Sequence, residues 1–362
     1  FAQGNLRWSE RSLLSFKLES YRTWQKAEMT MFMNNLSSPG EPPMFTETWP
    51  EHRRQVSGVF LRNDYVLSPK TVLAVDLRAD FSSSRVLSEQ GKRQFSSLGY
   101  EVGRPFHEFV HSSNVTMVYS PGSDWKIKAG LGQGERLPTL SEQFGFYLFN
   151  AYDGYDYIGN PEIKTEKSLS GFADFSYTRP AVKFSIDLRY NHISDYILGV
   201  SVPEYEALNL YAAGTKRYEN IDGARTFSTQ FQLSWKPLPA LGFFNLLKYN
   251  WGETDANEPL PLIPPLKNLF SAHFQKGNYQ VQLENEYSAP QNRINTGYGE
   301  TKTPGFILLH VRTGYSIHAG NLVIRLNAGV ENLLDKAYSD HLDWGNYNRP
   351  GRNFYLMVGF KL

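Results

Sequence analysis

Very short turns alternate along this sequence with long polar connections, and almost everything between them reads as strand. The longest connection covers residues 131–167. It leaves a strand at Lys126-Ile127-Lys128-Ala129-Gly130 and returns to another over Ser168 to Tyr177. It far exceeds the ~15 residues beyond which a connection within a compact domain is uncommon and usually functional. Other long connections are expected over Met29 to Gln55, Ser88 to His107, Gly199 to Arg217, Glu253 to Pro265, Ser288 to Pro304 and Ala337 to Arg352. The intervening turns are tight: Ser9 to Ser12, Ser68-Pro69-Lys70-Thr71, Pro121-Gly122-Ser123-Asp124, Arg179-Pro180-Ala181, Pro237-Leu238-Pro239, Lys276-Gly277-Asn278 and His318-Ala319-Gly320-Asn321. They are rich in the Gly, Pro, Asn, Asp and Ser that such turns require.

The strands have two different faces. Leu73, Val75, Leu77, Ala79 and Phe81 alternate onto one side of their segment. Phe354, Leu356, Val358, Phe360 and Leu362 do so at the C-terminus, opposite Tyr355, Met357, Gly359 and Lys361. Period-2 alternation over about ten residues, with long excursions at one end and short turns at the other, is the plan of an antiparallel transmembrane β-barrel. An edge strand of a soluble sandwich is the alternative for the last segment, but a soluble sheet does not need strands this long. About fourteen strands are expected, most near the ~9–11 residues that cross a bilayer when tilted.

Composition agrees. The chain is 15% aromatic, with 22 Tyr and 24 Phe, yet its mean hydropathy is negative. Aromatic girdles around a polar lumen give that mixture. No apolar run is long enough for a membrane-spanning helix. Net charge is +1, which argues against a nucleic-acid partner. With no cysteine there is no disulfide framework and no thiolate metal site. No G-x-S-x-G elbow and no cysteine nucleophile occurs. His107-Glu108-Phe109-Val110-His111 does match H-E-x-x-H, but that spacing brings two His together only on a helix. These residues read as a loop base running into a strand, so an outer-membrane hydrolase has no motif in a fitting context.

Several segments carry a resemblance. Gly134-x-Arg136-x-Pro138-x-Leu140-x-Glu142 precedes Gly159-Asn160-Pro161-Glu162-Ile163-Lys164-Thr165-Glu166-Lys167-Ser168. Then come Tyr218-x-Asn220-x-x-Gly223, the proline-rich residues 259–265, Glu331-Asn332-Leu333-Leu334-Asp335-Lys336-Ala337-Tyr338, and Arg349-Pro350-Gly351-Arg352-Asn353-Phe354. In this order they resemble the barrel of TonB-dependent outer-membrane receptors. The resemblance implies that residues 1–362 are the C-terminal part of a plugged barrel of about 22 strands. No signal peptide is visible at Phe1, and the N-terminal plug and first strands are expected to precede it. It implies a bacterial outer-membrane location, lipid around the barrel, the plug domain and TonB as partners, and gated transport rather than covalent chemistry; a passive porin would need none of these motifs. The family often ends on an aromatic residue, whereas this chain ends on Leu362.

The family motifs are read as structural. Arg136, Pro138, Glu142, Asn160, Pro161, Glu162 and Glu166 are expected in loop-base or lumen-side bonds that hold the wall to the plug. Asn332, Asp335, Gly351 and Arg352 are expected to clamp the last loop. The cargo reading rests on methionine. Four of the chain's six methionines, Met29, Met31, Met33 and Met44, fall in one expected extracellular loop. Thioethers are soft ligands that favour Cu(I). Neighbours on one face of a strand lie ~6.6 Å apart, too far to chelate one ion without a bend. Packing as gap-fillers is the structural alternative. Residues 145–161 also resemble the copper-receptor branch of the family, so a copper ion is the expected cargo and no resident cofactor is expected. His107 and His111 are a further metal candidate, and His341 with Asp340 and Asp343 a weaker one. A ferric siderophore is the alternative cargo, with Tyr147, Tyr152, Tyr155 and Tyr157 as its contacts.

Overall fold

The computed structural model describes residues 1–31 and 44–361. Its strands in chain order are β1 (Ala2–Ser9), β2 (Ser12–Met31), β3 (Met44–Ser68) and β4 (Thr71–Val86). Helix α1 (Glu89–Ser97) follows, then β5 (Phe106–Tyr119), β6 (Trp125–Arg136), helix α2 (Leu140–Phe144), β7 (Leu148–Asn150) and β8 (Tyr155–Ile158). The rest is β9 (Glu166–Thr178), β10 (Val182–Ser201), β11 (Thr215–Leu238), β12 (Leu241–Thr254), β13 (Lys267–Lys276), β14 (Tyr279–Ser288), β15 (Phe306–Ala319), β16 (Leu322–Glu331) and β17 (Asn353–Lys361). The tight turns fall where turn chemistry predicts. Leaving aside the very short β7 and β8, the long strands number fifteen rather than fourteen, because the first residues already form β1, paired with β2 from Ala2↔Leu18 to Ser9↔Ser12.

Two compact units divide the chain. One comprises Phe1–Thr116, Leu131–Ser170 and His192–Ala224; the other comprises Met117–Gly130, Gly171–Asn191 and Arg225–Leu362. In the second unit, β12 to β17 form an antiparallel meander in unbroken register. Its faces are sorted. Leu326↔Val358, Ala328↔Leu356 and Ile324↔Phe360 are cross-strand apolar pairs, and Phe354, Leu356 and Phe360 are each about 70% exposed. The opposite face carries Gln280, Gln282, Glu284, Arg312 and Asn327. There Arg312 donates to Glu284 at 3.0 Å and to both oxygens of Glu331 at 3.0 and 3.1 Å. Exposed apolar rows opposite a polar row that carries ion pairs are what a sheet needs when lipid lies on one side and water on the other.

Two expectations fail in the first unit. Met29 to Gln55 is not one long loop. β2 and β3 continue as a ribbon to Met31↔Met44, with register breaks at Gln25/Ala27 and Ala27/Met29. Pro50, which has no N–H for a ladder, lies in that irregular region. Ser88 to His107 is likewise not plain loop, for it holds α1, whose N-cap Ser88 accepts from Gly91 N–H. Gln94 locks the helix to β3 by exchanging two 3.0 Å bonds with the Glu47 backbone. Under α1 lies a small core of Val86, Phe95, Val102 and Phe144, none more than 3% exposed.

The sorted faces make a test. Val358→Arg places a charge on the apolar face and is expected to cost about 2–4 kcal/mol of folding stability in lipid vesicles. Met357→Arg, one residue away on the polar face, is expected to cost much less. Urea unfolding of both variants checks this, and equal losses would mean the faces are misassigned.

Candidate functional site

The first unit gathers the family segments around the end of β6. Arg136 closes that strand. Thr139 caps α2 by accepting from Glu142 N–H at 3.2 Å, while the Glu142 carboxylate accepts from Thr139 N–H at 2.6 Å. This reciprocal box satisfies two amides that a helix N-terminus leaves bare. The same carboxylate takes the Arg136 guanidinium at 2.8 and 3.2 Å. Arg136 Nε reaches Glu166, the first residue of β9, at 2.6 Å, and the other Glu166 oxygen accepts from Ile197 N–H on β10 at 2.8 Å. Pro138 is fully buried, and its carbonyl accepts from the buried Arg54 at 2.6 Å. Gln143 relays Arg54 to Glu108, at 2.7 and 3.0 Å.

The far side of the connection folds back on α2. Asn160 N–H donates to the Glu142 carbonyl at 2.9 Å, and its side chain accepts from Glu162 N–H at 3.0 Å. Pro161 is buried, and Glu162 itself is exposed. Gly159 N–H donates to the Gly145 carbonyl at 2.7 Å. Asn220 holds the Lys164 backbone through both its N–H and its carbonyl, at 2.8 and 3.1 Å.

Sequence reasoning missed one feature, a buried charged pair joining the connection to the start of β11. Lys216 donates to Asp153 at 2.7 Å, with the two side chains only 4% and 1% exposed. Tyr157 OH donates to the same carboxylate at 2.6 Å, and the Lys216 ammonium lies 4.3 Å from the Tyr155 ring centre. Burial pushes the Tyr157 phenol well above its ordinary pKa, and the Asp153 contact adds to this. A lone lysine 63 residues from its partner gives no local sequence signal. Asp156, also fully buried, accepts from the backbone N–H groups of Leu208 and Asn209, each at 2.8 Å. Of the four tyrosines, Tyr155 and Tyr157 are thus engaged by charged neighbours. Tyr147 packs edge-on against Phe146 at 4.9 Å, and Tyr152 N–H donates to Asn150 at 3.1 Å.

In the second unit the last loop is clamped. The Asn332 side chain accepts from Lys336 N–H and donates to the Lys336 carbonyl, both at 2.9 Å. Asp335 accepts from Arg352 N–H at 2.8 Å, and Arg352 Nε donates to the Leu333 carbonyl at 2.9 Å. A side chain at Gly351 would start 2.7 Å from the Asp335 carboxylate, which would have to shift from its bond to Arg352 N–H. His341 is buried between Thr303 and Glu300, at 2.9 and 3.2 Å. Arg349 holds the Asp343 carboxyl below its ordinary pKa through bonds of 2.8 Å.

The metal candidates separate. His107 and His111 are both exposed on β5, where His107 stacks on Phe81 at 5.7 Å and His111 on Phe109 at 6.2 Å. Four residues of strand put their Cα atoms ~13 Å apart, too far to share one ion. Met31 is the register partner of Met44, and Met29 that of Thr46; Met33 lies outside the described residues. Among the described residues, no three His, Asp or Glu side chains are grouped to hold a metal ion.

The connection between β6 and β9 supplies a test. A Cβ on Gly159 would meet the Gly145 nitrogen and the Gln143 carbonyl at 2.7–2.8 Å, all backbone atoms. Gly159→Ala is expected to cost about 1–3 kcal/mol by overpacking and to speed proteolysis within residues 146–158. Cleavage at the wild-type rate would show that the connection is not seated there.

A family profile described as TonB dependent receptor-like, beta-barrel matches residues 2–333. No curated protein matches the sequence. Among solved structures, the copper transporter OprC superposes with TM-score 0.77 at 20% identity, covering 99% of this chain and 55% of its own. The FrpB iron transporter from Neisseria meningitidis gives 0.67 at 11% identity, covering 99% and 54%. The ferric yersiniabactin uptake receptor FyuA from Yersinia pestis gives 0.63 at 14%, covering 99% and 52%. At these identities the likeness establishes fold alone, and the chain spans about half the length of each. The family and these structures are receptors and transporters, not enzymes. The strands are those of an antiparallel β-barrel of the bacterial outer membrane, and the chain belongs to the TonB-dependent receptor β-barrel family.

Proposed function

We propose that this chain is the wall of an outer-membrane receptor that binds copper on its extracellular side and imports it with energy delivered through TonB to a plug domain. The observation that carries the copper reading is the methionine hairpin. Met31 and Met44 are directly opposed across β2 and β3, and opposed positions on a ribbon lie ~5 Å apart. That is closer than the ~6.6 Å between same-face neighbours on one strand. Met29 is two residues from Met31, and Met33 is two residues further on in the sequence. Four methionines within residues 29–44 suit capture of a soft monovalent ion. The fold likeness to a copper transporter, at TM-score 0.77 against 0.67 and 0.63 for the two iron-related proteins, leans the same way.

A ferric chelate is the second reading, favoured by the likeness to FrpB and FyuA. Against it, Tyr155 and Tyr157 are already engaged by Lys216 and Asp153, which leaves less aromatic surface for a ligand.

Metal retention separates the two. The complete receptor is incubated with Cu(I) under reducing conditions, or with zinc or ferric iron, freed of excess and assayed by mass spectrometry. About one copper per receptor is expected, with zinc and iron excluded by the soft donor set. Changing Met29, Met31, Met33 and Met44 together to Ala is expected to abolish retention. Copper bound equally by that variant, or by neither form, would overturn the reading.

A further inference from the structure

β2, β3 and β4 pair side by side without a register break through the stretch that leaves the apolar belt. On their apolar face, Leu73, Val75, Leu77, Ala79 and Phe81 run up β4, with Leu61 and Val59 beside them on β3 and Phe16 and Leu18 on β2. Above them on the same face come Ser20, Ser57 and Ser83, then Arg22, Gln55, Trp24, Arg53 and Arg85. Arg85 is four residues past Phe81 and Arg22 four past Leu18, so each stands ~13 Å along its strand beyond the last apolar side chain. The opposite face here is closed, since His52, Arg54 and Val56 are buried.

The register makes an unfavourable pair. Arg53 and Arg85 are directly opposite each other, and like charges so placed are destabilising. Among the described residues, neither guanidinium has an ion pair or a hydrogen bond of its own. The nearby groups do not neutralise them. Arg22 donates to Gln55 at 3.0 Å. Glu51, on the same face, accepts from the Trp24 indole at 3.2 Å, and Glu28 is paired with Lys26. His107, stacked on Phe81, adds no negative charge. The face therefore holds Arg22, Lys26, Arg53 and Arg85 against Glu28 and Glu51.

We infer that Arg53 and Arg85, with Arg22 below them, bind the phosphate of an anionic lipid headgroup in the membrane leaflet around the barrel. The height is that of the headgroups just outside an apolar belt ~25 Å tall. A phosphate supplies the missing counter-charge and accepts from two guanidinium forks at once. Trp24, 60% exposed beside Arg53, is an indole at the apolar–polar border, where such rings anchor a barrel. The occupant is a lipid rather than a soluble anion because the lipid's chains would lie along Phe81, Leu77 and Leu18, directly below.

The test uses the purified receptor in uncharged detergent, with lipid A as the probe and dephosphorylated lipid A and inorganic phosphate as controls. Lipid A is expected to raise the unfolding temperature of the wild type and to bind at least about tenfold less tightly to Arg53→Gln/Arg85→Gln. That variant removes a like-charge pair, so without lipid it is expected to unfold at no lower a temperature than wild type. Arg53→Lys/Arg85→Lys should keep most of the binding. Equal lipid A binding by the Gln variant, equal binding of the dephosphorylated lipid, or saturation by inorganic phosphate alone would overturn the inference. So would a Gln variant that is destabilised before any lipid is added, since the pair would then have a structural role within the sheet.

Discussion

The bridge from Arg136 to Glu142 and Glu166 fixes where the longest connection begins and ends. A free connection of that length has a large conformational entropy to lose, and its ends must be held by interactions that survive in water. The guanidinium answers this by its shape. Its planar fork serves two carboxylates, one on α2 and one on β9. Glu166 is only 8% exposed, and an isolated carboxylate there would be costly. It is tolerated because Arg136 and the Ile197 amide occupy its two oxygens. The carboxylate that starts β9 therefore also holds β10 at Ile197. Glu142 is both helix cap and ion-pair partner, so α2 cannot shift without loosening β6.

Around that bridge the first unit divides its stability between two kinds of contact. The strands carry apolar rows on one face and ion pairs on the other, as with Arg78 between Asp80 and Glu19. The helices carry a small dry core, where Phe95 and Phe144 meet edge to face at 6.3 Å. Burial in that core does not depend on lipid, so the segments above the strands hold their own shape. The buried Lys216–Asp153 pair works in the same region, with two tyrosine rings excluding water from the ammonium. A pair so enclosed is weak evidence for net stability, but it specifies one arrangement of the chain.

The sequence was most legible where local chemistry decides structure. Turn residues mark the tight connections, and the alternation from Phe354 to Phe360 separates the two faces of β17. Arg136, Glu142 and Glu166 all read as structural residues, but nothing local reveals that Arg136 joins the two carboxylates, with Glu166 thirty residues on. Helix α1 escaped notice because a nine-residue segment with Phe95 as its one large buried side chain barely shows a helical period. The β2–β3 ribbon escaped because Pro50 and the register breaks at Gln25 and Ala27 look like loop in one dimension and become tolerable only once two strands pair. His107 and His111 were grouped by counting residues, whereas an extended strand spreads the same count over ~13 Å.

Residues 139–163 form a fixed part of the first unit and not a mobile loop. Amide hydrogen exchange on the purified receptor tests it most directly. The Gln143, Gly145, Phe146, Gly159 and Asn160 amides all donate to backbone carbonyls. They should exchange slowly, on the time scale of the paired amides of β13 and β14. Exchange at the rate of an unstructured peptide at these five positions would contradict the account, whatever cargo the receptor carries.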